Sequence, residues 1–161
     1  MLDFNTIPRK ERVIVALDCD RSRALELADM LAGKATWSNR YDLFYQEGLI
    51  LLLPYKKRFK VFLDLKFHDI PHQVKGAAKA AAEAGADMLT MHAVGGLSMM
   101  KAAKEGLSEA RWVEEEPISL AITVLTSMSE EDLRSTGVTR KVKDQVISLA
   151  NQAKEAVYPV L

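Results

Sequence analysis

A single cysteine, Cys19, stands in 161 residues. That excludes an internal disulfide framework and any metal cluster built on cysteines, and it suits a reducing cytoplasm. Net charge is missing too: 22 Lys and Arg face 22 Asp and Glu, so no overall field favours nucleic acid or an anionic membrane. An anionic small molecule would need a local site. Long apolar runs are scarce, and Leu49–Leu53 is far too short to span a bilayer. The segment Met1-Leu2-Asp3-Phe4-Asn5 has no basic stretch leading into an apolar one, so no signal peptide is expected. What remains is an ordinary soluble balance, 48% apolar and 27% charged, in a chain sized for one domain over residues 1–161 with a substantial core.

One stretch organises the rest: Val61-Phe62-Leu63-Asp64-Leu65-Lys66-Phe67-His68-Asp69-Ile70-Pro71. An apolar, β-prone run ending at a proline reads as a buried strand closing into a turn. Strand alternation puts Val61, Leu63 and Leu65 on one side and Phe62, Asp64 and Lys66 on the other. Asp69 follows three residues after Lys66, where a turn can bring it back. An acid, a base and a second acid thus meet at the end of an apolar strand, and buried charges of this kind are compensated or held for chemistry. A solvated edge strand with a chance Asp–Lys pair is the plain alternative, since exposed ion pairs are common and contribute only about 0–1 kcal/mol.

Elsewhere the chain alternates between strand and helix patterns. Val13–Asp18 is a continuous apolar run ending in an acid, the pattern of a strand buried on both faces. Asp20 or Ser22 can cap a helix from Arg23 to about Ala32, ended by Gly33. Residues 35–58 are irregular: Trp37, Tyr41, Leu43 and Phe44 suit a second strand or its end, and Pro54 and Gly48 interrupt a helical pattern over Gln46–Lys57. Helices are expected over His72–Ala84, closed by Gly85, and over Leu97–Gly106, opened by Gly95-Gly96. Strands are expected over Asp87–His92 and Pro117–Leu125. Ser127 or Ser129 can start a short helix, and Thr139 can cap a last one over Arg140–Val157. This βαβα rhythm implies a parallel sheet with right-handed crossovers. Its strands end in Asp18, Asp64-x-Lys66, His92 and Thr126, and C-terminal strand ends carry the site both in doubly wound sheets and in (β/α)₈ barrels. Asp18-Cys19-Asp20-Arg21 replaces a glycine-rich turn, which weakens the case for dinucleotide binding.

These residues resemble a known family. Val13–Asp18, Phe62–Pro71, Met91-His92-Ala93-Val94-Gly95-Gly96 and Ile122-Thr123-Val124-Leu125-Thr126-Ser127 are similar in order and spacing to orotidine 5′-phosphate decarboxylase over about residues 12–156. Asp-x-Lys-x-x-Asp alone belongs to a wider barrel superfamily; joined to Ile-Pro and Leu-Thr-Ser it is specific. The resemblance implies a parallel (β/α) barrel of TIM type, here about its first five β/α units, and a homodimer that converts orotidine 5′-monophosphate to UMP in pyrimidine biosynthesis without metal or organic cofactor. It implies that Lys66 is the cation and proton donor beside the carbanion, with Asp64 orienting it. Asp69 would be lent to the partner subunit's site, Asp18 would hold the ribose, and Ile70, Thr126 and Ser127 would contact the nucleotide. The alternative for Asp18, Thr126 and Ser127 is a helix cap. His68 and His92 lack metal-ligand spacing and are expected to pack or hydrogen-bond, and Cys19 reads as a small buried residue.

The chain departs from the family at three places. A second-strand Lys falls on Ser38 or Asn39, and the nearby Arg40 is no substitute in a tight site. Asn-Thr after Ile-Pro is His72-Gln73. The chain ends after a fifth strand and its helix, where Val157–Leu161 does not resemble the family, and the phosphate-gripping part would follow. Two further readings stay open: a non-catalytic half-barrel that dimerises or binds a partner, and a Mg²⁺-dependent sugar-phosphate decarboxylase or aldolase using Asp42 or Glu47. Because remote binding energy lowers the barrier at the reacting carbon, the purified 161-residue chain is expected to turn over orotidine monophosphate weakly or not at all. An ordinary family-like kcat would overturn that expectation.

Overall fold

The computed structural model describes residues 6–39, 48, 59–111 and 115–156. Five strands order in sequence as β1 (Ile14–Ala16), β2 (Trp37–Asn39), β3 (Lys60–Phe67), β4 (Met88–His92) and β5 (Ile118–Ile122). Ile14 registers with Trp37, and Trp37 with Lys60, in parallel ladders. Each crossover therefore adds its strand on the same side. A doubly wound sheet would reverse this order at a switch point, so the choice between the two architectures goes to a partial barrel of the TIM type.

Five α-helices lie among the described residues: α1 (Arg21–Leu31), α2 (Pro71–Glu83), α3 (Leu97–Ser108), α4 (Glu130–Ser135) and α5 (Val142–Glu155). The chain divides into two compact units, one of residues 1–65, 80–89 and 110–118, the other of 66–79, 90–109 and 119–161. The division falls inside β3, β4 and β5.

In the first unit, Leu17, Ala24, Ala28 and Phe59 form a buried cluster, with Val15, Cys19, Leu25, Leu27 and Leu31 packed against it. Asp20 caps α1 by accepting the Arg23 N–H at 3.0 Å, and Gly33, at φ 76°, supplies the left-handed conformation that follows the helix. The start of β3 is pinned by a side chain, because the Val61 N–H donates to the Asp87 carboxylate at 2.7 Å. Val61 and Leu63 are fully buried. β1 is shorter than its apolar run suggests and is not buried on both faces: Ile14 is 43% exposed and Ala16 is exposed. As the first strand in the order it has one described neighbour, β2.

In the second unit, Met99, Met100, Ala103 and Leu107 of α3 are buried, as are Leu149 and Ala153 of α5. Fully burying a side chain of Met or Leu size contributes roughly 1.5–3 kcal/mol. Gly106 is where α2 comes close: a Cβ at that position would overlap the Lys75 carbonyl oxygen. Lys75 also reaches Glu105 at 2.7 Å and Glu109 at 2.8 Å. These hydrogen bonds raise the Lys75 pKa, Glu105 contributing most, and the one to Lys75 holds the Glu109 carboxyl below its ordinary range.

Several expected boundaries move by a few residues, among them those of β5 and α5. β5 ends at Ile122, before Leu125. Thr139 does not cap α5: its N-cap is Lys141, which makes no side-chain cap, and the Val142 N–H donates instead to Glu130 at 3.0 Å. A carboxylate brought from α4 thus does the work that a local hydroxyl was expected to do. Tyr41, Leu43, Phe44, Gln46–Lys57 other than Gly48, and Val157 lie outside the described residues.

Gly106→Ala should destabilise the fold by up to about 2 kcal/mol in urea unfolding, since an overpacking cost against backbone of about 1–3 kcal/mol outweighs the roughly 1 kcal/mol that Ala gains in helix propensity. A more stable Ala variant would show that α2 can yield.

Candidate active site

Asp64 and Lys66 stand near the C-terminal end of β3, both half-buried. Lys66 has φ 51°, the one positive value on a non-glycine among the described residues. This left-handed residue departs from the regular pleat on which i, i+2 facing rests, and its backbone costs about 1–2 kcal/mol for an L-residue. Something must offset that. The Lys66 N–H donates to the Thr90 hydroxyl at 2.9 Å, and Thr90, on β4, is 1% exposed. A hydrogen bond contributes about 0.5–1.5 kcal/mol net, a sum of the same order as the strain. The sequence reading missed Thr90; the available signal was one hydroxyl within Met88-Leu89-Thr90-Met91.

Past Phe67 the chain surfaces: His68, Asp69 and Ile70 are exposed, Ile70 at 63%. Asp69 Oδ1 accepts the Ile70 N–H at 2.6 Å, while the Ile70 carbonyl accepts from Gln73 and Val74 and so begins α2. Pro71 opens the helix where an N–H would go unused.

For Asp18, Thr126 and Ser127 the capping alternative falls away. Asp20, two residues on, caps α1. Ser129 caps α4 in a reciprocal box: its hydroxyl accepts the Asp132 N–H at 3.0 Å and donates to Asp132 Oδ2 at 2.6 Å, which also accepts the Ser129 N–H at 2.9 Å. These donors hold the Asp132 carboxyl below its ordinary range. Asp18, Thr126 and Ser127 are exposed; Asp18 follows β1 by two residues, and Thr126 and Ser127 follow β5 by four and five. Asp18 and Asp64 belong to the first unit, while Lys66, Asp69, Ile70, Thr126 and Ser127 belong to the second.

The second unit also contains a cavity of about 190 Å³, lined among others by His68, His92, Thr123, Leu125, Met128 and Leu149. The two imidazoles pack with centroids 5.6 Å apart and planes tilted by 56°. None of the expected site residues lines this cavity, although His68, inside the Asp-x-Lys-x-x-Asp element, does. Among the described residues no group of three His, Cys, Asp or Glu side chains is placed to hold a metal ion. Ser38 and Asn39 lie in β2, whereas Arg40, Asp42 and Glu47 are outside the described residues. No helix among the described residues is long and apolar enough to cross a membrane.

A singly wound parallel β/α sheet with an acid–base–acid run at a strand's C-terminal end defines the class of (β/α)-barrel proteins. Comparison with known proteins narrows the class. The model of the orotidine 5′-phosphate decarboxylase / HUMPS family matches residues 11–159. A relative from Maridesulfovibrio salexigens named orotidine 5′-phosphate decarboxylase is 48% identical over 124 residues, 75% of this chain and 54% of that one. Another of the same name, from Sodalis glossinidius, is 45% identical over 141 residues, 86% of this chain and 55% of that one. The crystal structure of orotidine 5′-phosphate decarboxylase from Lactobacillus acidophilus superposes with a TM-score of 0.86 at 37% identity, over 92% of this chain and 69% of that one. The chain belongs to the orotidine 5′-phosphate decarboxylase / HUMPS family, and it spans about half the length of these two curated relatives.

Because the Asp132 pKa is depressed, its stabilising share is present above the ordinary carboxylate value and is lost as pH falls through the depressed one. In Ser129→Ala the Asp132 pKa should rise back toward its ordinary range, measured by carboxyl NMR titration. An unchanged value would show that the box does not hold that charge.

Proposed function

We propose that the full protein of which these residues form part decarboxylates orotidine 5′-monophosphate to UMP, in pyrimidine biosynthesis. The observation that carries this reading is Asp64-x-Lys66-x-x-Asp69-Ile70-Pro71 at the C-terminal end of β3, within a chain whose curated relatives bear that enzyme's name. Those names favour it over a Mg²⁺-dependent aldolase and over a non-catalytic remnant.

In the proposed reaction the bond between the pyrimidine carbon and its carboxylate breaks, and CO₂ departs. The electron pair stays on a ring carbon with little resonance relief. The Lys66 ammonium stabilises that charge and then delivers its proton to the carbon, giving UMP. A fixed cation where negative charge develops accelerates such a step because it need not reorganise. Asp64, two residues away, orients the ammonium. Asp18 takes the ribose, and Ile70, Thr126 and Ser127 the nucleotide; that Asp18, Thr126 and Ser127 are exposed and cap no helix supports this. Asp69, exposed at the start of α2, is lent across a homodimer interface to the partner's site. Residues 1–161 act as one domain in this reading, β3, β4 and β5 each running through both compact units.

A chimera tests it: residues 60–92 of this chain replace the matching segment of the Lactobacillus acidophilus relative. The chimera should turn over orotidine 5′-monophosphate, indifferent to chelator, and Lys66→Ala within it should cut kcat about a hundred- to a thousandfold. Full turnover in that variant, or loss in chelator, would sink the reading.

A further inference from the structure

We propose that Thr90 is a positioning residue for Lys66, holding it in a left-handed conformation through a side-chain-to-backbone hydrogen bond. Three observations carry this. Lys66 has φ 51°, a conformation that L side chains rarely adopt. Its N–H, which in a regular ladder would serve a neighbouring carbonyl, donates to Thr90 Oγ1 at 2.9 Å. Thr90 is 1% exposed on a strand whose Met88, Leu89 and Met91 are buried apolar residues.

A hydroxyl in such surroundings is costly unless hydrogen-bonded, so Thr90 holds its place by the contact it makes. That contact links residues 24 apart in sequence. The Thr90 hydroxyl accepts from the amide of a residue whose φ of 51° departs from the regular pleat. The base of the Lys66 side chain is set by that conformation. Thr90 acts on the reaction only through Lys66, and this consequence rests on Lys66 being the reacting cation as proposed above.

Amide hydrogen exchange and NOE spectroscopy on the ¹⁵N-labelled 161-residue chain test the contact without requiring turnover. In Thr90→Val the Lys66 amide should exchange about tenfold faster or more, the loss of one hydrogen bond, and its strong intraresidue amide–Hα NOE should weaken. The Val61 amide, held by Asp87, should stay within about twofold, because opening is local. Thr90→Ser keeps the acceptor and should leave Lys66 close to the parent. Unchanged Lys66 behaviour in Thr90→Val, equal acceleration at Val61, or failure of Thr90→Ser to retain protection would each overturn the proposal. Should Thr90→Val fail to fold, Lys66→Gly combined with it should fold, since glycine takes positive φ without help; an unfolded double variant counts against the idea.

In the chimera described above, Thr90→Val should lower kcat with KM nearly unchanged, and Thr90→Ser should restore it. If Lys66→Ala leaves turnover intact there, the functional reading fails while the exchange result stands.

Discussion

β3 is held by side-chain acceptors near both of its ends, and the candidate chemistry depends on that. At the start, the Asp87 carboxylate takes the Val61 N–H; at the end, the Thr90 hydroxyl takes the Lys66 N–H. Each acceptor comes from the segment that forms or leads into β4, so one strand's backbone is fixed by the next strand's side chains. Between them Val61 and Leu63 are fully buried. A charged pair can stand at the exit of a strand only where the strand itself cannot slide, and close packing together with these two bonds restricts sliding.

Beyond that exit the chain becomes exposed within two residues, and α2 begins at once with Pro71. The abruptness has a chemical use in the proposed reaction. Lys66 needs shelter so that its charge is not dissipated in water, whereas a residue that serves another subunit, as Asp69 is proposed to do, has to reach outward. The exposed Asp69 and half-buried Lys66 are separated by only Phe67 and His68. The same separation of tasks recurs at the caps. Asp20 and Ser129 secure α1 and α4, and so relieve Asp18, Thr126 and Ser127 of any capping role.

Some elements were legible because their signals are local. The Ala-rich stripe of α2 buries Val74, Ala78, Ala81 and Ala82 at helical spacing, and the proline and glycine at its borders stand where expected. The β3 run was clear from its apolar content and the following Pro71. Others were not legible. Whether Asp20 or Ser22 capped α1, and Ser127 or Ser129 capped α4, turned on backbone geometry that neighbouring hydroxyls and carboxylates share. The exposure of β1 depended on its place at the end of the strand order, which apolar content does not encode. α5 took its cap from Glu130 on α4, a contact between elements that no local pattern announces.

Sequence alone determined the periodicities, the family-specific run Asp64-x-Lys66-x-x-Asp69-Ile70-Pro71, and hence the kind of fold and chemistry in view, because these follow from residue type and spacing along one segment. Tertiary structure decided which way the sheet winds, where Gly106 must stay small for α2, and how Lys66 is held. A lysine at φ 51° carries no mark in its own sequence neighbourhood. Its conformation is sustained by a hydroxyl 24 residues away, and only folding brings that donor and acceptor within reach.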